Sequence, residues 1–199
     1  MQHAPRLHSR TLRARIARRI TRSERGAAAV EFAIIVPVLV LLTFGIIEFS
    51  SAYHDESLTS DAARAGARIG SSMATDAGMP AAVASAVNSA LSTMPSDQPQ
   101  ELWVYKANNA GYPGNGTSFS SCSTNCIKYT WSQGAKAFTG GSGSWSMSNN
   151  QVCTMPYDQI GVYLKVQHPY VTKMFGSTIT LTDHAVFRFE PVASAACSS

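Results

Sequence analysis

Hydrophobic side chains are concentrated in one uninterrupted stretch near the start of the chain, from Ala27 to Ile47. In these 21 residues the only polar side chains are those of Glu31 and Thr43. A helix of that length spans about 30 Å, the thickness of the hydrocarbon core of a bilayer. Pro37 lies inside the stretch, but a proline is tolerated in a membrane helix. The pattern therefore predicts one transmembrane helix over residues 27–48.

The helical pattern continues beyond this stretch, over residues 49–72. From residue 48 to residue 69 the chain has no proline, and its first glycine is Gly66. Asp61 and Arg64 are three residues apart, a spacing that allows an ion pair on a helix surface. Small residues that would let another backbone approach closely are Ala52, Ala63, Gly66 and Gly70. We expect this side to pack on the chain's own domain; the alternative is a packing face for a neighbouring subunit.

A second helix is predicted from Pro80 to about Thr93. Proline suits the first turn of a helix, where its missing N–H is not needed. Apolar residues recur at helical spacing and predict a buried stripe of Val83, Val87, Ala90, Leu91 and Met94. Pro95 and Pro99 follow and end the pattern.

Beyond residue 100 the periodicity changes to that of β-strands. Four segments are rich in β-branched and aromatic residues and predict an antiparallel sheet: 102–106, 127–131, 160–166 and 178–189. The predicted fold class is therefore α+β, with a long N-terminal transmembrane helix that continues into an exported domain over residues 73–199. That domain holds the second helix and the sheet.

Residues 107–150 contain many Gly, Ser, Asn and Thr residues, including the run 140–144, and we expect exposed, mobile loops there. Tyr112, Phe119 and Trp145 lie in this region. We expect these aromatic side chains to fold back and hold the loops against the sheet. The alternative is that they stack against a ligand or an adhesive partner.

Charge is distributed unevenly along the chain. Residues 1–25 carry eight arginines and one acid, Glu24, whereas the remainder carries eight basic and eleven acidic side chains. By the positive-inside rule, a leader over residues 1–26 stays in the cytoplasm and the residues after about Glu48 are exported. An arginine-rich leader is also typical of nucleic-acid binding, but no interleaved aromatic residues accompany it. We expect no nucleic-acid partner.

Four cysteines lie on the predicted exported side, where disulfides persist: Cys122, Cys126, Cys153 and Cys197. Three pairings are possible. The pairing Cys122–Cys126 with Cys153–Cys197 is favoured because a short loop closes easily, but the sequence does not decide between the three. A zinc site is disfavoured, since the first pair lacks a second pair at ligand spacing and neither His168 nor His184 has ligand spacing with it.

The sequence carries no motif of a nucleophilic hydrolase, a phosphate-binding loop, a dinucleotide-binding fold or a zinc protease. His54, Asp55 and Glu56 predict a solvated helix face rather than an acid–base centre. Asp183 and His184 are neighbours in a predicted strand and therefore point to opposite faces. We expect a protein that is not an enzyme and has no cofactor, bound metal or small-molecule substrate.

The junction between leader and span has the pattern of a processing site. If Gly26 ends the leader, Ala27 becomes a new N-terminus and Glu31 is its fifth residue. A carboxylate within the bilayer costs roughly 2.5–3.5 kcal/mol on insertion scales, so Glu31 is a functional candidate. Ala27 and Glu31 lie four apart on one helical face, so the carboxylate can neutralise the new amine of its own chain or of a neighbouring subunit.

The residues of this junction resemble those of a known family. The run Gly26-Ala-Ala-Ala-Val-Glu31-Phe32 matches the prepilin-peptidase motif of type IV pilin-like proteins. The longer apolar run from Arg25 to Phe49, with the later Ala62-Ala-Arg-Ala-Gly-Ala-Arg68, is similar to the TadE-like pseudopilins of tight-adherence (Tad/Flp) pilus systems. The specific resemblance covers residues 25–70.

This resemblance implies a pilin-like fold and a minor subunit required to assemble a bacterial pilus used in adhesion and biofilm formation. It implies an inner-membrane protein that is cut by prepilin peptidase between Gly26 and Ala27. Glu31 and Phe32 would serve peptidase recognition or assembly. The implied partners are the Tad assembly platform and other pilin-like subunits.

The alternative is an exported adhesin or binding domain released by ordinary signal peptidase. The arginine-rich leader and apolar run support it, and the segment ending at Ala52 has a small-x-small cleavage pattern. The apolar run is longer than the usual 7–15 residues of a signal peptide, however, and Glu31 has no role in it.

Overall fold

The computed structural model describes residues 9–173, 176–191 and 197, with side chains from residue 26 onward. The arginine side chains of the predicted leader therefore lie outside the described residues. The chain divides into two compact units, Met1–Ile47 and Glu48–Ser199. The order of its helices and strands is an α+β arrangement, as the sequence predicts.

Two α-helices precede the sheet in the chain. Helix α1 runs over Ser9–Ser72 and contains Pro37 without interruption, and helix α2 runs over Met79–Ala90. Pro80 lies in the first turn of α2, where a missing N–H costs nothing. Asp61 and Arg64 are both exposed, and within the described residues they form no ion pair with each other.

Five strands form one antiparallel sheet in the order β3-β2-β1-β4-β5. Their bounds are β1, Pro99–Ala107; β2, Cys126–Ser132; β3, Ala137–Ser144; β4, Gln159–Pro169; and β5, Thr178–Arg188. A single 3₁₀ turn, Met147–Asn149, separates β3 from β4.

The two faces of the sheet are covered differently. The last part of α1 and the apolar stripe of α2 pack against alternate residues of β1 and β4, including Val104 and Val162. On the other face, Trp103 and Tyr105 are covered by the β1–β2 connection, whose Phe119 packs against them. The central strand β1 is therefore buried on both faces over residues 102–105, which explains its short continuous apolar run.

A glycine allows the most buried aromatic side chain of this second face to fit. Gly161 lies directly across the β1–β4 ladder from Tyr105. A Cβ atom at Gly161 would lie 2.1 Å from Cζ of the Tyr105 ring. The phenol hydroxyl donates a hydrogen bond to the carbonyl oxygen of Gly111 (2.8 Å), which satisfies its polar end.

The prediction of mobile loops across residues 107–150 is wrong for the glycine-rich run 140–144, which is part of edge strand β3. Gly143 lies at φ 114°, and a Cβ atom there would be 2.2 Å from the carbonyl oxygen of Cys126. The glycine is therefore required by close approach of two backbones rather than by flexibility. The strand is also fixed to α2, because Asn88 Oδ1 accepts a hydrogen bond from the N–H of Phe138 (3.0 Å).

Candidate functional site on the long helix

The predicted processing junction lies on the surface of α1. Gly26, Ala27, Glu31 and Phe32 are all exposed, and no atom outside the helix comes within 4 Å of a Cβ built on Gly26. Among residues 26–173 and 176–191, Glu31 forms no hydrogen bond or ion pair. The carboxylate is thus open to a partner supplied from outside the chain.

The stretch that follows exposes its apolar side chains. Of the described helices, one is long and apolar enough to cross a membrane; it covers Gly26–Ser72, and its most apolar window has a mean hydropathy of 2.6 with none of it buried. Thr43 Oγ1 donates to the carbonyl oxygen of Leu39 (2.8 Å), so the one hydroxyl of the span is satisfied within the helix. Glu31 is then the one polar side chain left to accommodate. The helix is a candidate membrane anchor.

Glu48, the first residue after the apolar span, is buried in the second unit and is only 4% exposed. Its Oε2 accepts a hydrogen bond from the backbone N–H of Thr172, in the β4–β5 connection (3.2 Å). Its Oε1 has no hydrogen-bond partner within the described residues. The carboxylate therefore fixes the connection beside the point where the apolar span ends.

Two turns farther along α1, Asp55 forms a buried pair with His168 near the end of β4. The Oδ2 atom of Asp55 lies 2.6 Å from Nδ1 of His168, whose side chain is 2% exposed. Thr59 donates its hydroxyl to the carbonyl oxygen of Asp55 (2.7 Å). The pair joins residues 113 positions apart in sequence and locks the helix to the sheet.

The expectation that residues 54–56 form a solvated face is therefore wrong for Asp55, although His54 and Glu56 are exposed. The sequence does carry a signal for this. Glu48, Asp55 and Thr59 are spaced by seven and four residues, so they lie along one helical face. That face leads into the small residues that were predicted to pack, so acids on it would be expected to be buried and paired.

The small residues of α1 pack inside the chain's own domain. Ala63 is fully buried, and a Cβ atom at Gly66 would lie 2.7 Å from Val87 Cγ2 and 3.2 Å from Val83 Cγ1. Gly70 is closer still to the sheet, since a Cβ there would lie 2.2 Å from Ile160 Cδ1. These glycines set the distance between α1 and the elements it covers.

All four cysteines are paired, in the combination that the sequence favours. Cys122 and Cys126 are joined with a Cα–Cα distance of 5.3 Å, and Cys153 and Cys197 with one of 5.6 Å. The first disulfide closes the end of the β1–β2 connection immediately before β2. The second ties residue 197 to the segment that precedes β4.

The loop aromatics fold back onto the sheet. Phe119 stacks on Tyr163 at 4.3 Å between ring centroids and also contacts Tyr112 at 5.1 Å. Trp145 donates its Nε1–H to Asn150 Oδ1 (3.0 Å). Their rings are occupied by neighbours of the same chain, which supports the role of holding the loops.

The pKa of one carboxyl group next to these rings, that of Glu101, is shifted. Burial alone would raise the pKa of Glu101, but hydrogen bonds from Lys128 Nζ (3.0 Å) and Trp103 Nε1 (3.2 Å) outweigh it and lower the pKa below its usual value. Burial raises the pKa of Tyr105. Both groups have structural partners, so neither marks a reactive centre.

Comparison with known proteins bears on the long helix. The model of the family described as TadE-like protein matches residues 26–68. No curated protein and no solved structure matches the chain. The matched segment begins at the junction glycine, includes the whole apolar span and ends on the small-residue face of α1. Over this segment, about a fifth of the chain, the sequence is similar to TadE-like proteins.

Proposed function

We propose that this chain is a membrane-anchored, minor pilin-like subunit required for assembly of a Tad/Flp-type pilus, and through the pilus for adhesion and biofilm formation. One observation carries the proposal: the TadE-like match covers the apolar span and the first part of the folded domain as one continuous helix. The role is structural rather than enzymatic, in keeping with that family. Its partners are the Tad assembly platform and other pilin-like subunits.

The proposed location is the bacterial inner membrane, crossed once, with the leader in the cytoplasm and the domain in the periplasm. The eight arginines before the span and the net negative charge after it support this orientation. Two disulfides in the domain agree with an oxidising compartment.

In this proposal prepilin peptidase cuts between Gly26 and Ala27, and Glu31 then serves recognition or assembly. A glycine weakens a helix by about 1 kcal/mol relative to alanine, so Gly26 makes the helix locally easier to open. Within the described part of the chain, no atom lies within 4 Å of a Cβ built on Gly26, so no packed side chain blocks a protease there. After cleavage, the new amine and Glu31 neutralise each other, within one chain or between neighbouring subunits.

A secreted domain released after Ala52 fits the structure less well. Such a cut would remove Glu48, which is buried in the domain and bonded to Thr172. The domain that remained would lose the first turn of its own helix. Nothing in the fold favours a product that begins near Tyr53.

Substitution of Glu31 tests the proposal. In a strain that lacks the native gene, we expect the Glu31→Ala chain to reach wild-type levels in the membrane while surface pili fall to the level of the deletion strain. Thr43→Ala is the matched control, because it changes the other polar side chain of the span, and it should leave pilus number unchanged. Normal piliation by the Glu31→Ala chain would contradict the assigned role.

A further inference from the structure

The β4–β5 connection, which is bonded to Glu48, carries an exposed apolar side chain. Val171 is 64% exposed, and the exposed Lys173 follows two residues later. A single exposed apolar side chain is ordinary on a protein surface, so its surroundings decide whether it has a partner. Whether Val171 can contact lipid depends on how far this connection lies from the hydrocarbon core.

Glu48 fixes that position. It follows directly on the apolar span, so it marks the boundary of the hydrocarbon core when the helix is inserted. Because Thr172 donates its backbone N–H to Glu48, the connection lies at the same level. It also covers a carboxylate that would otherwise face the acyl chains at that boundary.

Two aromatic side chains on α1 lie at the same level. Phe49 and Tyr53 are 74% and 62% exposed, and their rings stack with centroids 6.4 Å apart. From Glu48 to Tyr53 the helix rises about 7.5 Å, which matches the roughly 5–8 Å thickness of one headgroup layer. Exposed aromatic rings at that depth are typical of the membrane interface.

We propose that Val171 and Lys173, together with Phe49 and Tyr53, form a lipid contact at the headgroup layer of the periplasmic leaflet. The valine inserts among the upper acyl carbons, the lysine is attracted to the net negative charge of anionic lipid headgroups, and the two rings occupy the interface. This inference rests on the proposed membrane anchorage of the chain.

Photocrosslinking tests the contact. The full-length chain, with a photoreactive benzoylphenylalanine at position 171, is reconstituted in vesicles of phosphatidylethanolamine and phosphatidylglycerol. The matched control carries the same residue at Met155, an apolar side chain that is 74% exposed. Met155 precedes β4 and Val171 follows it, so the length of the strand, about 33 Å, separates them.

We expect about tenfold more lipid adduct from position 171 than from position 155, because position 171 adjoins Thr172, which is bonded to Glu48, and position 155 lies beyond the opposite end of β4. Lys173→Glu should lower the adduct from position 171 about fivefold in these vesicles, and have no effect in vesicles of phosphatidylcholine alone. Equal lipid adducts from the two positions, or adducts from position 171 only to a second protein chain, would overturn the proposal.

Flotation of the same samples distinguishes a failure of the proposed lipid contact from a failure of the proposed membrane anchor. A chain that floats with vesicles but gives no lipid adduct at position 171 contradicts the contact and leaves the anchor intact. A chain that does not float contradicts the anchor and the contact together. Unchanged tryptophan fluorescence of each labelled chain shows that the domain is folded.

Discussion

The buried pair between Asp55 and His168 makes a strong prediction about stability. In the Asp55→Ala chain the imidazole stays 2% exposed but loses its one hydrogen-bond partner in the described structure. Leaving a buried polar group without its hydrogen-bond partner costs about 1–3 kcal/mol, and more when the group is charged. A domain of this size has a total stability of about 5–15 kcal/mol, so the loss is a large part of it.

Urea unfolding of the full chain in detergent micelles measures the effect. The three tryptophans, at positions 103, 131 and 145, all lie in the folded domain, so their fluorescence reports on the domain and not on the anchor. Asp61→Ala is the matched control, since Asp61 is an exposed acid on the same helix. We expect it to change the free energy of unfolding by less than about 0.5 kcal/mol.

A double substitution separates pairing from packing. Asp55→Leu with His168→Leu removes both polar groups and should cost much less than Asp55→Ala alone, because no buried group is left unpaired. A free energy of unfolding for Asp55→Ala within about 1 kcal/mol of the unmodified chain would refute the assigned role of the pair.

Three further predictions concern the domain. Gly161→Ala places a methyl group against a buried tyrosine ring and should lower the free energy of unfolding in urea by about 1–3 kcal/mol. Gly134→Ala, where no atom of the described residues lies within 4 Å of the added Cβ, should leave it unchanged. Replacing both cysteines of Cys153–Cys197, which closes a loop of 44 residues, should cost about 4 kcal/mol, against about 2 kcal/mol for Cys122–Cys126, which closes one of 4. Equal losses in urea unfolding would contradict an origin in loop entropy. Because its pKa is lowered in the folded state, ionised Glu101 stabilises the fold above the usual carboxyl pKa, and this stabilisation is lost as the pH falls through the folded pKa. The Glu101→Gln chain should therefore be less stable than the unmodified chain at pH 7 and equally stable in acid.

The parts of the fold that the sequence predicted are those set by local patterns. The apolar span depends only on length and composition, and the stripe of α2 depends on a repeat within twelve residues. The predicted processing motif also rests on contiguous residues; the TadE-like match begins at its glycine, and cleavage there stays a prediction. The residues that define each of these patterns all lie within one short segment of the chain.

The features that the sequence did not predict depend on contacts between distant segments. The sequence of strand β3 is typical of a loop because glycine has a low strand propensity, and Gly143 is required there by close approach of the backbone at Cys126. Asp55 looks like a solvated acid because its partner lies 113 residues away. The spacing of Asp55 from Glu48 would have placed both on one face, but the partner itself follows only from the fold.

The N-terminal residue of the protein in the membrane fraction tests the central claim most directly. It is measured by intact mass and terminal peptide sequencing, in cells with and without prepilin peptidase. A pilin-like subunit predicts a chain that begins at Ala27 and remains in the membrane, and that keeps its leader when the peptidase is absent. An uncut chain in both strains, or a soluble product that begins near Tyr53, would contradict the account.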